Sequence, residues 1–132
     1  MRVGLGLDAH SLVTGKPLVL GGIAIPYPKG LEGHSDGDVL THAIIDALLG
    51  AATMGDIGTY FPSDDPQYCG ISSTSLLAQT VNMLDETGWR TINVDATIVA
   101  QAPKLAPYIG KMRNKLSDIL KISIENLSIK AT

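Results

Sequence analysis

Few of the residues that advertise a function are plentiful in this sequence. Among 132 residues there are one cysteine (Cys69), one tryptophan, one phenylalanine and three histidines. A single cysteine excludes an internal disulfide and points to a reducing compartment. Ten Lys and Arg stand against 13 Asp and Glu, a net charge of -3, and the cations are scattered. That argues against nucleic acid as a partner, because a phosphate backbone needs a basic stripe. No apolar run is long enough to span a bilayer, so no membrane partner is expected. Met1 leads directly into "RVGLGLDAH" without a charged and apolar leader, and the expected location is the cytoplasm. With 45% hydrophobic residues the chain reads as globular, and residues 1-132 fit a single domain.

Turn signals and periodicity divide the chain. "RVGLGLDAH" alternates Val3, Leu5 and Leu7 with Gly4, Gly6, Asp8 and His10, which is strand periodicity. "PLVLGGIAIP" sets two apolar runs around Gly21 and Gly22, a hairpin pattern. A helix follows, with Ser35 and Asp38 spaced as a capping box and Val39, Ile45, Leu48 and Leu49 as its apolar stripe. "GDIGTYFPSDDPQYCG" lacks periodicity and reads as a long ordered loop. Ser72 or Ser73 opens a helix that Gly88 stops. "WRTINVDATIVA" is a strand, residues 107 to 120 a helix, and "ENLSIKAT" another strand. These elements predict an α+β fold, a two-layer sandwich with a mixed sheet and helices on one face. The last strand halts at Thr132 without a turn or cap, as if a further C-terminal segment were lacking.

The chemistry concentrates near the histidines. Asp8 and His10, two apart on a strand, project from one face, and the flanking glycines leave room beside them. His42 would complete two imidazoles and a carboxylate, a set suited to Zn²⁺ or a similar divalent ion with an open position for substrate. Asp46, one turn after His42, is expected to accept the other ring N–H of that histidine, although a solvated helix carboxylate would look the same. His34 and Ser35 are placed at the helix start, where free N–H groups favour an anion such as phosphate, with Asp36 and Asp38 opposing. Asp56 in "GDIG" could bind polyol hydroxyls or simply make a turn. "AQAPKLAP" offers exposed backbone groups that could read a base edge, with Lys104 its only cation, or could be a plain connector.

Together "GLDAH", "LGGIAIPY", "GLEGHSDGDVLTHAIIDALLGAATMGDIGTYFP", "NVDATIVAQAPKLAP" and "IKAT" resemble the 2-C-methyl-D-erythritol 2,4-cyclodiphosphate synthase family from end to end. The resemblance implies a homotrimer with active sites at its subunit interfaces. It also implies an intramolecular phosphoryl transfer that closes a cyclic diphosphate and expels CMP from a cytidine diphosphate substrate. By position, Asp8, His10 and His42 match the metal ligands, and Asp8, Ala9 and His10 also border the substrate. His34, as transition-state stabiliser, and Ser35 match phosphate contacts. Asp56, Ile57 and Gly58 match the segment that holds the methylerythritol portion, and Phe61, Pro62, Ser63, Asp64 and Asp65 extend that wall. Ala100, Gln101, Ala102, Pro103, Lys104, Leu105 and Ala106, with Thr132, match the nucleotide pocket. Family members continue with a glutamate for a second ion, Mg²⁺ or Mn²⁺, and a Gly-rich phosphate clamp, neither of which this sequence contains. Two other readings compete: a zinc-dependent phosphoester hydrolase, and a non-catalytic oligomeric binding protein stabilised by zinc.

Overall fold

A computed structural model describes all 132 residues. Its first ladder pairs β1 (Leu12–Thr14) antiparallel with a later strand, and between them lies the hairpin of β2 (Leu18–Leu20) and β3 (Ile23–Ile25). Gly21 and Gly22 make its two-residue turn with φ of 58° and 74°, the left-handed conformation that a tight hairpin requires. β4 (Lys29–Leu31) then returns to β1, with Leu12 opposite Leu31.

Four helices follow the hairpins: α1 (Val39–Ala51), α2 (Ile57–Tyr60), α3 (Ser73–Glu86) and α4 (Ile109–Leu120). Gly88, at φ 85°, lies just beyond the C-cap of α3, the usual stop for a helix. Between α3 and α4 runs β5 (Val94–Ile98), and β6 (Leu127–Ala131) pairs with it in parallel. α3 packs on both α1 and α4, with α4 against β6 and α1 against β5. Their apolar faces merge in one core where Ile45, Leu49, Leu77, Met112, Leu116 and Leu127 are all but inaccessible.

Three boundaries differ from the sequence reading. The expected loop after Gly55 contains α2 and a 3₁₀ turn at Pro66–Tyr68, each opened by an aspartate cap, Asp56 and Asp65. α4 begins at Ile109, after a separate 3₁₀ turn at Ala106–Tyr108. The α+β class holds, but the predicted mixed sheet is present as three two-stranded ladders, two antiparallel and one parallel, and residues 1 to 10 belong to none of them.

That first segment is held by close approach to a helix rather than by a ladder. A Cβ on Gly4 would come within 1.8 Å of the Ala47 carbonyl oxygen, and one on Gly6 within 1.8 Å of that of Ala43. The glycines therefore let the backbone lie directly on α1, and the alternation sends Val3, Leu5 and Leu7 outward, at 93%, 82% and 82% exposure. A cavity of about 1670 Å³ separates this segment from β5.

Candidate functional site

The glycine-seated segment delivers Asp8 and His10 beside the first turn of α1, where His42 projects. Asp8 Oδ2 lies 2.8 Å from His10 Nε2 and 3.2 Å from His42 Nδ1, and its Oδ1 accepts the Ala9 N–H. The two rings are tilted at 56° with centroids 5.3 Å apart, so they converge on the carboxylate without stacking. One ligand atom from each of the three residues falls within 4.8 Å of the others, a grouping that can hold a divalent ion. Two imidazoles and a carboxylate suit zinc, whose ligand atoms stand about 3.4 Å apart in a tetrahedral site. The residues fit such an ion.

Ser35 joins this cluster, with Oγ 3.0 Å from His42 Nε2. It does not cap α1. Asp38 is the N-cap, and its carboxylate accepts from the N–H groups of Thr41, Gly21 and Gly22 and from the Thr41 hydroxyl. Asp38 and not Ser35 thus stands at the α1 N-terminus, where its fully buried carboxylate accepts the Thr41 N–H. Burial pushes the Asp38 carboxyl above its ordinary value, while the four donors pull in the opposite direction.

His34 lies five residues before the start of α1, outside the helix. Its Nε2 pairs with the Asp65 carbonyl oxygen at 2.9 Å, and its own carbonyl accepts the Gly70 N–H. Asp65 in turn accepts from the side chain and backbone of Gln67, which hold its carboxyl below the usual range. The chain thus bridges the metal-holding cluster at Ser35 to the segment 61 to 65 at His34. Asp56 is the cap of α2 and accepts from the Thr59 N–H and hydroxyl through Oδ1. Pro62 is half-buried, and Ser63 and Asp64 are exposed. Phe61 turns inward, 8% exposed and edge-on to Tyr68 at 5.5 Å, so it supports the wall from beneath.

Asp46 departs from expectation. It accepts the Ile57 N–H at 2.8 Å and makes no hydrogen bond to His42. The pitch of α1 points it at α2, while both ring nitrogens of His42 are met elsewhere, Nδ1 by Asp8 and Nε2 by Ser35 and Ser73. Ser73, with Asp36 behind it, had no local signature beyond its place at a helix start.

The 100–106 segment leaves β5 as a bend and runs into the 3₁₀ turn, with Leu105 buried and Lys104 exposed. Ala100 N–H donates to the Thr132 carbonyl. Ala100 to Pro103 and Leu105 border the same cavity as Asp8, Ala9 and His10, and no hydrogen bond joins them to the metal-holding cluster.

Comparison with known proteins covers the whole chain. The family model described as the YgbB family matches residues 1–132. A 2-C-methyl-D-erythritol 2,4-cyclodiphosphate synthase of Desulfitobacterium hafniense is 56% identical over 132 residues, all of this chain and 84% of that protein. A solved 2C-methyl-D-erythritol-2,4-cyclodiphosphate synthase in its CDP-bound form superposes with a TM-score of 0.92 at 35% identity, covering 98% of this chain and 87% of that one. The bifunctional IspDF of Campylobacter jejuni superposes with a TM-score of 0.94 at 38% identity over 99% of this chain and 36% of its own. With its full length matched in sequence and in fold, the chain belongs to the YgbB family.

Proposed function

We propose that this chain converts 4-diphosphocytidyl-2-C-methyl-D-erythritol 2-phosphate to 2-C-methyl-D-erythritol 2,4-cyclodiphosphate with release of CMP, a step in non-mevalonate isoprenoid biosynthesis. The observation that carries this reading is the full-length similarity to enzymes named for that product, one of them at 56% identity. That breadth of match disfavours the hydrolase and the non-catalytic alternatives. A related synthase has been solved with CDP, which supports a cytidine nucleotide as the small-molecule partner.

In the reaction, an oxygen of the substrate's 2-phosphate forms a bond to the β-phosphorus, and the bond from that phosphorus to the bridging oxygen breaks. CMP leaves with the bridging oxygen and its electron pair. The attacking phosphate is already anionic at neutral pH and needs no general base. Positioning and charge compensation are then what the protein contributes. Asp8, His10 and His42 are proposed to hold a zinc-class ion. When bound, it supplies Lewis-acid polarisation of the diphosphate. Ser35 and His34 are assigned to the phosphate groups. With Nε2 committed to the Asp65 carbonyl, His34 can donate through Nδ1 only as imidazolium. Asp56 to Gly58 and the wall from Phe61 to Asp65 are assigned to the methylerythritol portion.

Ala100 to Ala106 and Thr132 are assigned to the nucleotide, presented to the site of a neighbouring subunit in a homotrimer. The outward row of Val3, Leu5 and Leu7 supports burial of this face by assembly. A second ion, Mg²⁺ or Mn²⁺, belongs to the same reading. Its usual holders are one or two carboxylates together with substrate phosphates, whereas Asp8, His10 and His42 form the three-ligand group. One continuous apolar cluster supports reading residues 1-132 as one domain, and a cytoplasmic location accords with the lack of a membrane-crossing helix.

Phosphorus NMR of the protein with the diphosphocytidyl substrate, Zn²⁺ and Mg²⁺ tests the proposal. A cyclic diphosphate accompanied by equimolar CMP is expected. Inorganic phosphate or a ring-opened diphosphate as the product would overturn it in favour of a hydrolase.

A further inference from the structure

Two loops that lie far apart in sequence are fastened together behind His42. Asp36 N–H donates to the Ile71 carbonyl, and Gly70 N–H donates to that of His34. Across this seam Asp36 Oδ2 accepts the Ser73 backbone N–H at 3.0 Å, and Oδ1 accepts the Ser73 hydroxyl and the Asp38 N–H. Ser73 is fully buried, and its Oγ lies 2.7 Å from His42 Nε2.

With Asp36 ionised, one placement of the protons satisfies these contacts. A serine hydroxyl has a single proton, and a carboxylate that accepts three hydrogen bonds has none to give. The Ser73 proton is therefore spent on Asp36, and Ser73 Oγ meets the imidazole with lone pairs only. At 2.7 Å a bare Nε2 would set lone pair against lone pair, so Nε2 must carry a hydrogen. Ser35 Oγ, 3.0 Å from the same nitrogen, shares that donor. In the neutral ring Nδ1 is then the bare nitrogen, facing Asp8 Oδ2 at 3.2 Å, where two acceptors meet and only a cation or a proton reconciles them.

We propose that Asp36 and Ser73 are positioning residues that fix the tautomer of His42, Asp36 by taking the Ser73 proton and Ser73 by taking that of Nε2, so that Nδ1 is presented as a metal ligand. This inference rests on the reading of Asp8, His10 and His42 as a metal site. It assigns the outer partner of His42 to the start of α3, reached across 31 positions of sequence, and not to Asp46 on the same helix. A histidine ligand whose second nitrogen is hydrogen-bonded keeps both its ring orientation and its basicity, and loss of such a partner costs about 10- to 100-fold in metal affinity.

The test reads the ring nitrogens directly. With only three histidines, long-range proton–nitrogen NMR of the ¹⁵N-labelled protein resolves each ring, and His42 is assigned by its loss in His42→Ala. A slowly exchanging hydrogen on Nε2 is expected in the metal-free and the zinc-loaded protein alike. In Ser73→Ala that hydrogen should exchange faster, and competition against a fluorescent chelator should give a zinc Kd raised about 10- to 100-fold. Ser73→Thr, which restores the hydroxyl, should recover most of the affinity. Asp36→Asn, which can turn an amide donor toward Ser73 and reverse its hydroxyl, should lose at least as much as Ser73→Ala. Circular dichroism melts identify any variant that has lost its fold, and the remaining variants still decide the matter. A parent protein with the proton on Nδ1 and a bare Nε2 overturns the proposal, as do zinc affinities of folded Ser73→Ala and Asp36→Asn equal to the parent's. If the parent binds no zinc, the metal reading fails on its own, while the metal-free spectrum still decides the tautomer.

Discussion

The Asp46 carboxylate accepts the backbone N–H of Ile57 at 2.8 Å, which ties the helix that carries His42 to the short α2 turn capped by Asp56. Asp46→Ala leaves that amide without its charged partner. A loss of about 1–3 kcal/mol is expected in urea unfolding, together with a raised KM and unchanged zinc content. A parallel fall in zinc content would mean that Asp46 acts on His42 instead.

His42→Ala removes one of three convergent ligands, a side chain that is 12% exposed. Elemental analysis should find zinc lost, with turnover down on the order of 10³-fold, as expected when several kcal/mol of charge stabilisation disappear. Far-UV circular dichroism should stay near that of the parent, because the ring is not part of the apolar core. Full zinc occupancy in this variant would remove His42 from the ligand set.

Asp38→Asn tests the buried cap. Oδ1 accepts from the Gly21 and Thr41 N–H groups and Oδ2 from the Gly22 N–H and the Thr41 hydroxyl, so an amide turned either way points a donor at a backbone donor. A cost of about 3 kcal/mol is expected. The pH dependence follows from the upward shift that burial causes. The folded chain holds this proton more tightly than the unfolded chain, so the group's contribution is complete below its ordinary 3.8 and is lost as pH rises through the higher folded value. Urea midpoints measured from acid to neutral pH should show this decline in the parent and a flatter profile in Asp38→Asn.

Gly6→Ala would place a Cβ 1.8 Å from the Ala43 carbonyl oxygen, a contact that only movement of the backbone can relieve. Asp8 lies two residues on, so the ligand set should be displaced and zinc affinity should fall, on the order of tenfold or more. Gly50→Ala is the control. A Cβ there meets nothing within 4 Å inside a regular helix, and the change should be neutral or slightly stabilising. Equal zinc affinity in Gly6→Ala and Gly50→Ala would show that the close seating on α1 does not position Asp8.

Lys104→Ala removes the one exposed cation of the 100–106 segment. A solvated charge contact is worth about 1 kcal/mol at most, so CMP affinity should fall up to roughly fivefold with zinc content unchanged. Calorimetric titration of CMP into both proteins reads the difference, and equal affinities would take Lys104 out of the nucleotide pocket.

Much of the fold was legible because its signals are local. Gly21-Gly22 between two apolar runs makes a hairpin whatever surrounds it, and the stripes of α1, α3 and α4 follow from helical periodicity. Where the reading missed, a distant group had intervened. Alternation in "RVGLGLDAH" is strand-like, yet no neighbour pairs with it, and its glycines serve contact with α1. Ser35 has the spacing of a cap, but Asp38 also reaches the hairpin turn at Gly21 and Gly22, and four donors outbid one.

The sequence by itself determined the three long helices, the hairpin and the family, and it determined that Asp8 and His10 share a face, since a two-residue step in extended chain returns to the same side. Only the tertiary structure decided what surrounds His42. It turned Asp46 toward Ile57, laid Gly4 and Gly6 on α1 so that Asp8 and His10 reach the ring, and brought Asp36 and Ser73 together behind it. Periodicity operates over three or four residues, whereas the proton on an imidazole is settled by whichever donors and acceptors packing delivers to its two nitrogens.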